Sequence, residues 1–312
     1  MSSIPYAGAD RQLMLSDDDW DLAGVEGALR RDSVVIVSGV TSERADAIVA
    51  EVAERFALGE QLKLQSAFAS IFGHRENVGK NFMSVNRRGD YEYVTPHSEG
   101  THSIGMQLAS FYGLENTTDG GHTLLFNVNE RSAEWPRLRA VKVKMDAGGR
   151  PATQTEIVTA RVRYGAYLPK DIMGPDDEVL EEIASSLPGR RFFKTLSPIA
   201  AGPMVTSGRT VMSYWDNIGS ADRDACDGFI GILRDLDLLR LPEQAQDPVA
   251  YDCARHSRVW RSGADFCDLF KAMVVRRLEP GELVLYNNPT WTHAVSNWTP
   301  GSGVRRVVAA FA

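Results

Sequence analysis

The chain has 312 residues and a formal net charge of −7, with 43% hydrophobic and 24% charged residues. That acidic balance gives no long-range attraction for nucleic acid or anionic lipid, and the basic pairs Arg30-Arg31, Arg87-Arg88 and Arg276-Arg277 stand isolated. Apolar runs such as residues 33–40 and 307–311 are too short to cross a bilayer, so the expected partner is a small-molecule substrate, with no nucleic acid and no membrane.

The first 24 residues are polar and acidic, with no basic and apolar leader, which makes the cytoplasm the default compartment. Cys226, Cys253 and Cys267 are odd in number and lack C-x-x-C spacing, so they are expected to be inert reduced thiols rather than a disulfide framework or a zinc site. No repeat or composition shift divides the chain. One domain over residues 1–312 is expected, with a helical specificity insert at about 127–275.

In chain order, Ser33-Val-Val-Ile-Val-Ser-Gly-Val40 is a β-rich run. Thr41 or Ser42 then caps a helix whose apolar residues Ala45, Ile48, Val49, Val52 and Phe56 fall at helical spacing, with Gly59 as its stop. Gln107 to Leu114 is expected to be a core strand. Pro175-Asp-Asp-Glu178 followed by Val179, Leu180, Ile183 and Leu187 predicts a helix that Pro188-Gly189 ends. A further helix from about Ala221 to Leu239 presents Phe229, Ile230, Leu233 and Leu236, and its apolar face is expected to cover core or to meet a second copy in a homodimer. Leu283 to Tyr286 and Arg306 to Phe311 read as strands, the latter closing the chain. The expected fold is mainly β with flanking helices, a jelly roll or double-stranded β-helix, which would bring sequence-distant strands together.

Two fragments carry the chemistry. In Pro96-His97-Ser98-Glu99-Gly100, period-two alternation puts His97 and Glu99 on one face of an extended segment. Pro289-Thr290-Trp291-Thr292-His293 supplies a second imidazole. Two neutral nitrogens and one carboxylate, with other positions open, form the ligand set of non-haem Fe(II) oxygenases.

With these residues the chain resembles the Fe(II)/2-oxoglutarate-dependent dioxygenases of the taurine dioxygenase and clavaminate synthase type. His97-x-Glu99 is similar to the family's first two metal ligands. Gly120-Gly-His-Thr123 is similar to its Gly-Gly-x-Thr segment, and Leu278-Glu-Pro-Gly-Glu-Leu-Val-Leu-Tyr-Asn-Asn288, His293 and Arg305-Arg306 follow in the family's order. The resemblance implies that His97, Glu99 and His293 hold Fe(II), and that Thr123 and an arginine bind the far carboxylate of 2-oxoglutarate, with O2 as co-substrate. Arg306 is the expected arginine, as the second of the pair leading into the last strand, with Arg305 facing the other way by alternation. His122 and Asn287 depart from the family's usual acidic residues, at positions that are not metal ligands. Glu99 keeps the carboxylate that related halogenases lose, so hydroxylation, desaturation, epimerisation or cyclisation is implied. Amino-acid derivatives or natural-product intermediates of secondary metabolism are the implied substrates.

Two other classes fit the same fragments: a jelly-roll ligand-binding protein with incidental histidines, and a Zn(II) hydrolase on the same face, which would leave Arg306 and Thr123 without a role. His102 falls five residues after His97 and is expected on the opposite strand face; His74 and His256 sit in polar stretches and receive no role. Trp291 and Trp298 are expected to pack in core or rim, and Asn86, Arg87 and Tyr91 to form a solvated loop rather than a pocket mouth.

Overall fold

The computed structural model describes residues 4–5, 12–14, 22–72, 75–99, 106–198, 201–206, 209–214, 222–242 and 261–312. Helix α1 (Leu22–Asp32) leads into β2 (Val34–Ser38), which pairs in parallel with the short β1 (Gln12–Met14). Helix α2 (Ser42–Arg55) begins where expected, with the Thr41 hydroxyl accepting the Arg44 amide at 3.3 Å. It ends sooner than Gly59: Ala57 turns the chain at φ +59, and Gly59 instead opens α3 (Gly59–Phe72).

Strands β3 (Met83–Ser84), β4 (Val94–His97), β5 (Leu108–Asn116) and β6 (Thr123–Val128) follow, then β7 (Arg139–Met145) and α4 (Gln154–Tyr164). Next come β8 (Glu178–Ile183), β9 (Phe192–Pro198), β10 (Ala201–Thr206), β11 (Arg209–Tyr214) and α5 (Arg223–Asp235). Strands β12 (Phe270–Arg276), β13 (Glu282–Asn287), β14 (Trp291–Val295) and β15 (Arg305–Phe311) complete the chain.

Two mostly antiparallel sheets share a core. The larger has the order β1-β2-β13-β5-β15-β3, and the smaller β12-β6-β14-β4. Alternation sorts the side chains of each strand between two environments. Val307, Ala309 and Phe311 of β15 join Phe111, Val284, Tyr286, Leu125 and Trp291 in the apolar layer between the sheets. Val308 and Ala310 face the other way, onto Ile48, Val49 and Val52 of α2. On the far side of the smaller sheet, α5 covers Leu124, Phe126 and Ala294 with Phe229, Ile230 and Leu233. Its start is fixed by Asp222, whose side chain accepts the Ala225 amide at 2.9 Å. The core-covering role expected of this helix is the one the structure displays.

The helix expected after Pro175 is a strand. Val179 and Leu180 are exposed in β8, which pairs antiparallel with β9, and Arg191 meets Glu182 across the pair at 2.7 Å. Cross-strand pairing with β9 overrides the short helical spacing, leaving Val179 and Leu180 exposed while Ile183 and Leu187 pack against the cluster of Met145, Ala160 and Phe192. The region expected as a helical insert therefore includes the β7-β9-β8 sheet and the β10-β11 hairpin beside α4 and α5. Among the described residues, no helix is long and apolar enough to cross a membrane. Cys226 is buried with its Sγ 3.6 Å from the Tyr93 hydroxyl, and Cys253 lies outside the described residues.

The layering makes a quantitative prediction. Ile48 is fully buried between α2 and the larger sheet whereas Val158 on α4 is 52% exposed. Ile48→Ala should lower the unfolding free energy by about 2–5 kcal/mol, and Val158→Ala should change it by no more than about 0.5 kcal/mol. Urea unfolding measures both, and similar losses would contradict the placement of α2.

Candidate metal centre

The site forms where β4 and β14 meet in the smaller sheet. His97 and His293 are direct register partners, with ring centroids 4.1 Å apart. Glu99 lies two residues past His97 on the same face, and its Oε1 is 3.9 Å from His97 Nε2 and 3.6 Å from His293 Nε2. One ligand atom from each of the three residues falls within 4.8 Å of the other two, the one such triad of His, Cys, Asp or Glu among the described residues.

The donor set fits a divalent cation. His97 Nδ1 lies 3.1 Å from the Thr95 carbonyl, which calls for a proton on Nδ1 and leaves the Nε2 lone pair facing Glu99. Burial keeps both imidazoles below the ordinary histidine pKa, and the neighbouring His97 pushes His293 further down. Both are thus held in the neutral form a metal requires.

Glu99 lies beyond the end of β4, where no strand ladder can hold it, and Asn288 does this instead. The buried Asn288 side chain accepts the Glu99 amide at 3.0 Å and donates to the Glu99 carbonyl at 2.8 Å and the Met106 carbonyl at 2.9 Å. Asn288 itself is set by the turn joining β13 to β14, where Thr290 closes back on Asn287. At the other end of β13, the Pro280-Gly281-Glu282 turn is tied by Glu282, which accepts the Glu279 amide and the Arg276 guanidinium at 3.1 Å each. The segment singled out in the sequence thus works as one strand anchored at both ends.

The larger sheet closes the site from across the core. Phe111 of β5 lies 4.9 Å from the His293 ring, and Phe311 of β15 lies beneath the Arg75 guanidinium at 5.3 Å. A cavity of about 220 Å3 contains His97, Glu99, His293, Thr123 and Arg305 in its wall and adjoins an outer cleft of about 930 Å3.

Arg305, not Arg306, faces this cavity. Arg306 is exposed and lines only the outer cleft. The expected facing of the two arginines is reversed, because Arg305 shares strand parity with Val307, Ala309 and Phe311, the inward residues of β15. Arg305 Nε donates to the Gly121 carbonyl at 2.9 Å, and its guanidinium lies 5.9 Å from the Trp298 ring centre. Burial, with the nearby Arg88 adding to it, lowers the Arg305 pKa below the ordinary arginine value.

The Gly-Gly-x-Thr segment acquires a steric explanation. A Cβ on Gly120 would meet the Asn297 carbonyl oxygen at 2.1 Å. Gly121 has φ +69, and a Cβ there would meet Arg305 Cδ at 2.6 Å. The two glycines let this loop lie against β15's arginine while delivering Thr123, 3% exposed, to the cavity wall. His122 is lowered to about 4 by burial and by the charges of Arg277, Arg240 and Arg305, so it stays neutral beside them.

Other expected residues divide. Trp291 is fully buried in the core, and Trp298 lines the outer cleft. Asn86 and Arg87, expected in a solvated loop, are exposed but line both cavities, whereas Tyr91 lines neither and accepts from Asn297 through its carbonyl at 2.8 Å. His74, His102 and His256 lie outside the described residues. Sequence reasoning missed Arg75 and Arg88 in the cavity wall, since nothing local distinguishes them from surface arginines. The holding role of Asn288 was also missed, although an asparagine ending a core strand before a histidine is a usable signal.

Neither a protein-family model nor a curated protein sequence matches the chain. Among solved structures it is similar to PvcB, an Fe, alpha-ketoglutarate dependent oxygenase from an isonitrile synthetic pathway, at 12% identity over 96% of this chain and 84% of that one, with a TM-score of 0.40. A second structure of PvcB, from Pseudomonas aeruginosa, matches at 12% identity with the same coverage and a TM-score of 0.41. AAD-2 in complex with Mn(II) and N-oxalylglycine matches at 15% identity over 99% of this chain and 96% of that one, with a TM-score of 0.39. At such scores the likeness carries nothing about chemistry, which rests here on the site's own residues.

The triad geometry sets an expectation for metal binding. His97→Ala and His293→Ala should each abolish stoichiometric Fe(II) uptake in anaerobic equilibrium dialysis. Asn288→Ala, which touches no metal, should weaken uptake by about 10- to 100-fold by loosening Glu99. Wild-type affinity in Asn288→Ala would show that Glu99 is placed by something else.

Proposed function

We propose that the protein is a non-haem Fe(II)- and 2-oxoglutarate-dependent oxygenase acting on a small molecule. The observation that carries this is the joint placement, on one cavity, of the His97, Glu99 and His293 triad and the inward-facing Arg305 with Thr123. A triad alone would serve a hydrolase or a binding protein equally well. A half-buried arginine and a buried threonine on the same cavity would give 2-oxoglutarate a seat. The two facing sheets are read as a double-stranded β-helix, within a single domain.

In this scheme His97, Glu99 and His293 would hold Fe(II) through two neutral imidazole nitrogens and one carboxylate. Arg305 receives the distal carboxylate of 2-oxoglutarate through its planar fork, which a lysine would not reproduce. Its Nε is already committed to Gly121, so the fork's orientation is fixed before the co-substrate arrives. Thr123 adds a hydroxyl donor. Phe111 and Phe311 add apolar surface to the inner wall beside the histidines. Bound iron supplies oxygen activation coupled to conversion of 2-oxoglutarate to succinate and CO2, and the protein's share is binding, orientation and electrostatics.

Anaerobic titration with Fe(II) and 2-oxoglutarate should produce the weak visible charge-transfer band of the chelated co-substrate. Arg305→Ala should raise the 2-oxoglutarate concentration needed for the band by at least about tenfold, the loss of one charge-assisted pair. Arg306→Ala should leave it within about twofold, as for an exposed charge. A band absent from the wild type would refute the oxygenase assignment, and the reverse ranking of the two variants would return the role to Arg306.

A further inference from the structure

The loop that delivers Thr123, residues 117–122 between β5 and β6, lies outside the strands and is fastened by the segment just past β14. The Ser296 amide donates to the His122 carbonyl and the Ser296 hydroxyl accepts the His122 amide, each at 2.9 Å. The Gly121 amide donates to the Asn297 carbonyl at 3.3 Å, and Asp119 accepts the amide and the hydroxyl of Thr299 at 2.9 and 2.6 Å. Gly121 in turn holds Arg305 Nε through its own carbonyl. Whatever fixes Asn297 therefore fixes a hydrogen-bond partner of the cavity arginine.

Asn297 is fixed from behind. It is fully buried, and its side chain accepts the Arg240 amide at 2.8 Å while donating to the Arg240 carbonyl at 2.6 Å and to the Tyr91 carbonyl at 2.8 Å. Both donors and the acceptor are in use, so turning the carboxamide over would set donor against donor and oxygen against two carbonyls. Arg240 belongs to the tail that follows α5, and its guanidinium returns to the same loop. Nη2 donates to the Asp119 carbonyl at 3.1 Å, Nε lies 3.5 Å from Asp119 Oδ2, and Nη1 donates to the Asp237 carbonyl at 2.8 Å. The tail grips the loop twice, once through Asn297 and once directly.

We propose that Asn297 is a positioning residue for 2-oxoglutarate, acting through Gly121 on Arg305, with Arg240 as its brace. The role rests on the oxygenase reading of the site. An arginine meets a carboxylate with two parallel bonds only when the plane of its fork is held in place. Gly120 passes so close to the Asn297 carbonyl that a Cβ would sit 2.1 Å from the oxygen, so a displacement of Asn297 is passed on to the loop. The metal ligands hang on a different support: His97 and His293 on their strand pairing, and Glu99 on Asn288. The two asparagines divide the site, Asn288 serving the metal face and Asn297 the co-substrate's arginine. The tail of α5 is thereby tied to the co-substrate end of the cavity.

The test is anaerobic titration of the Fe(II)-loaded protein with 2-oxoglutarate, read at the charge-transfer band. Asn297→Ala should raise the half-saturating concentration by about tenfold or more, while Fe(II) uptake in equilibrium dialysis stays within about twofold of wild type. Arg240→Met keeps the main-chain bonds to Asn297 and removes the guanidinium from Asp119, and should raise the concentration by about threefold. Arg305→Lys removes the Nε bond to Gly121, so on that background Asn297→Ala should add less than about twofold, whereas a residue serving stability alone would weaken both backgrounds alike. An unchanged titration in Asn297→Ala, a parallel loss of Fe(II) uptake, or an undiminished effect on the Arg305→Lys background overturns the role. If Asn297→Ala does not fold, an unchanged titration in Arg240→Met overturns it. A wild type without the band refutes the oxygenase reading instead, and hydrogen exchange still decides whether Asn297 holds the loop: Asn297→Ala should speed exchange at the Gly121 and His122 amides and leave β4 and β14 as they were.

Discussion

One pairing register underlies the candidate metal centre: His97 of β4 lies directly opposite His293 of β14. Because side chains alternate along a strand, a slip of one residue would turn one imidazole to the far side of the sheet, toward α5. The register is defended by what surrounds it. Ala294 is buried under α5 while Trp291 is fully buried between the sheets, so β14 cannot move by one position without exchanging an apolar layer for a polar one. Glu99 lies outside this protection, which explains the concentration of hydrogen bonds from Asn288 onto its backbone. Ladder and side-chain clamp together bring three ligand atoms to one place.

The second sheet decides what else the metal face can do. Facing sheets pack about 10 Å apart, so residues from β5 and β15 reach into the space above His293. Phe111 and Phe311 contribute apolar walls, and Arg305 contributes the cation. Keeping a guanidinium there is unfavourable in isolation, because burial removes water and Arg88 repels it. The fold lowers that cost with the Gly121 carbonyl and the Trp298 ring.

Much of this site was legible in the sequence for a specific reason. The His-x-Glu step and the distant histidine follow from period-two geometry and from strand order, both of which are local or ordinal facts. The choice between Arg305 and Arg306 was not legible. The run from Val307 to Ala312 is buried on both faces, so hydrophobicity gives no sign of which parity looks at the cavity. Only the partition of Val307, Ala309 and Phe311 from Val308 and Ala310 between two core layers resolves it. The strand at Glu178–Ile183 was misread for a related reason: Val179 and Leu180 are exposed, so their spacing reports no buried face. Arg75 and Arg88 left no trace, since an arginine's direction depends on its fold neighbours rather than on its sequence neighbours.

Glu99 joins the two parts of the site. The same Oε1 lies within 4 Å of His97, His293 and Arg75. A carboxylate has lone pairs for more than one partner, but its charge can be counted only once. A cation held by the triad would draw that charge toward itself and away from Arg75. Occupancy of the triad and the field at Arg75 would then be linked through one oxygen atom.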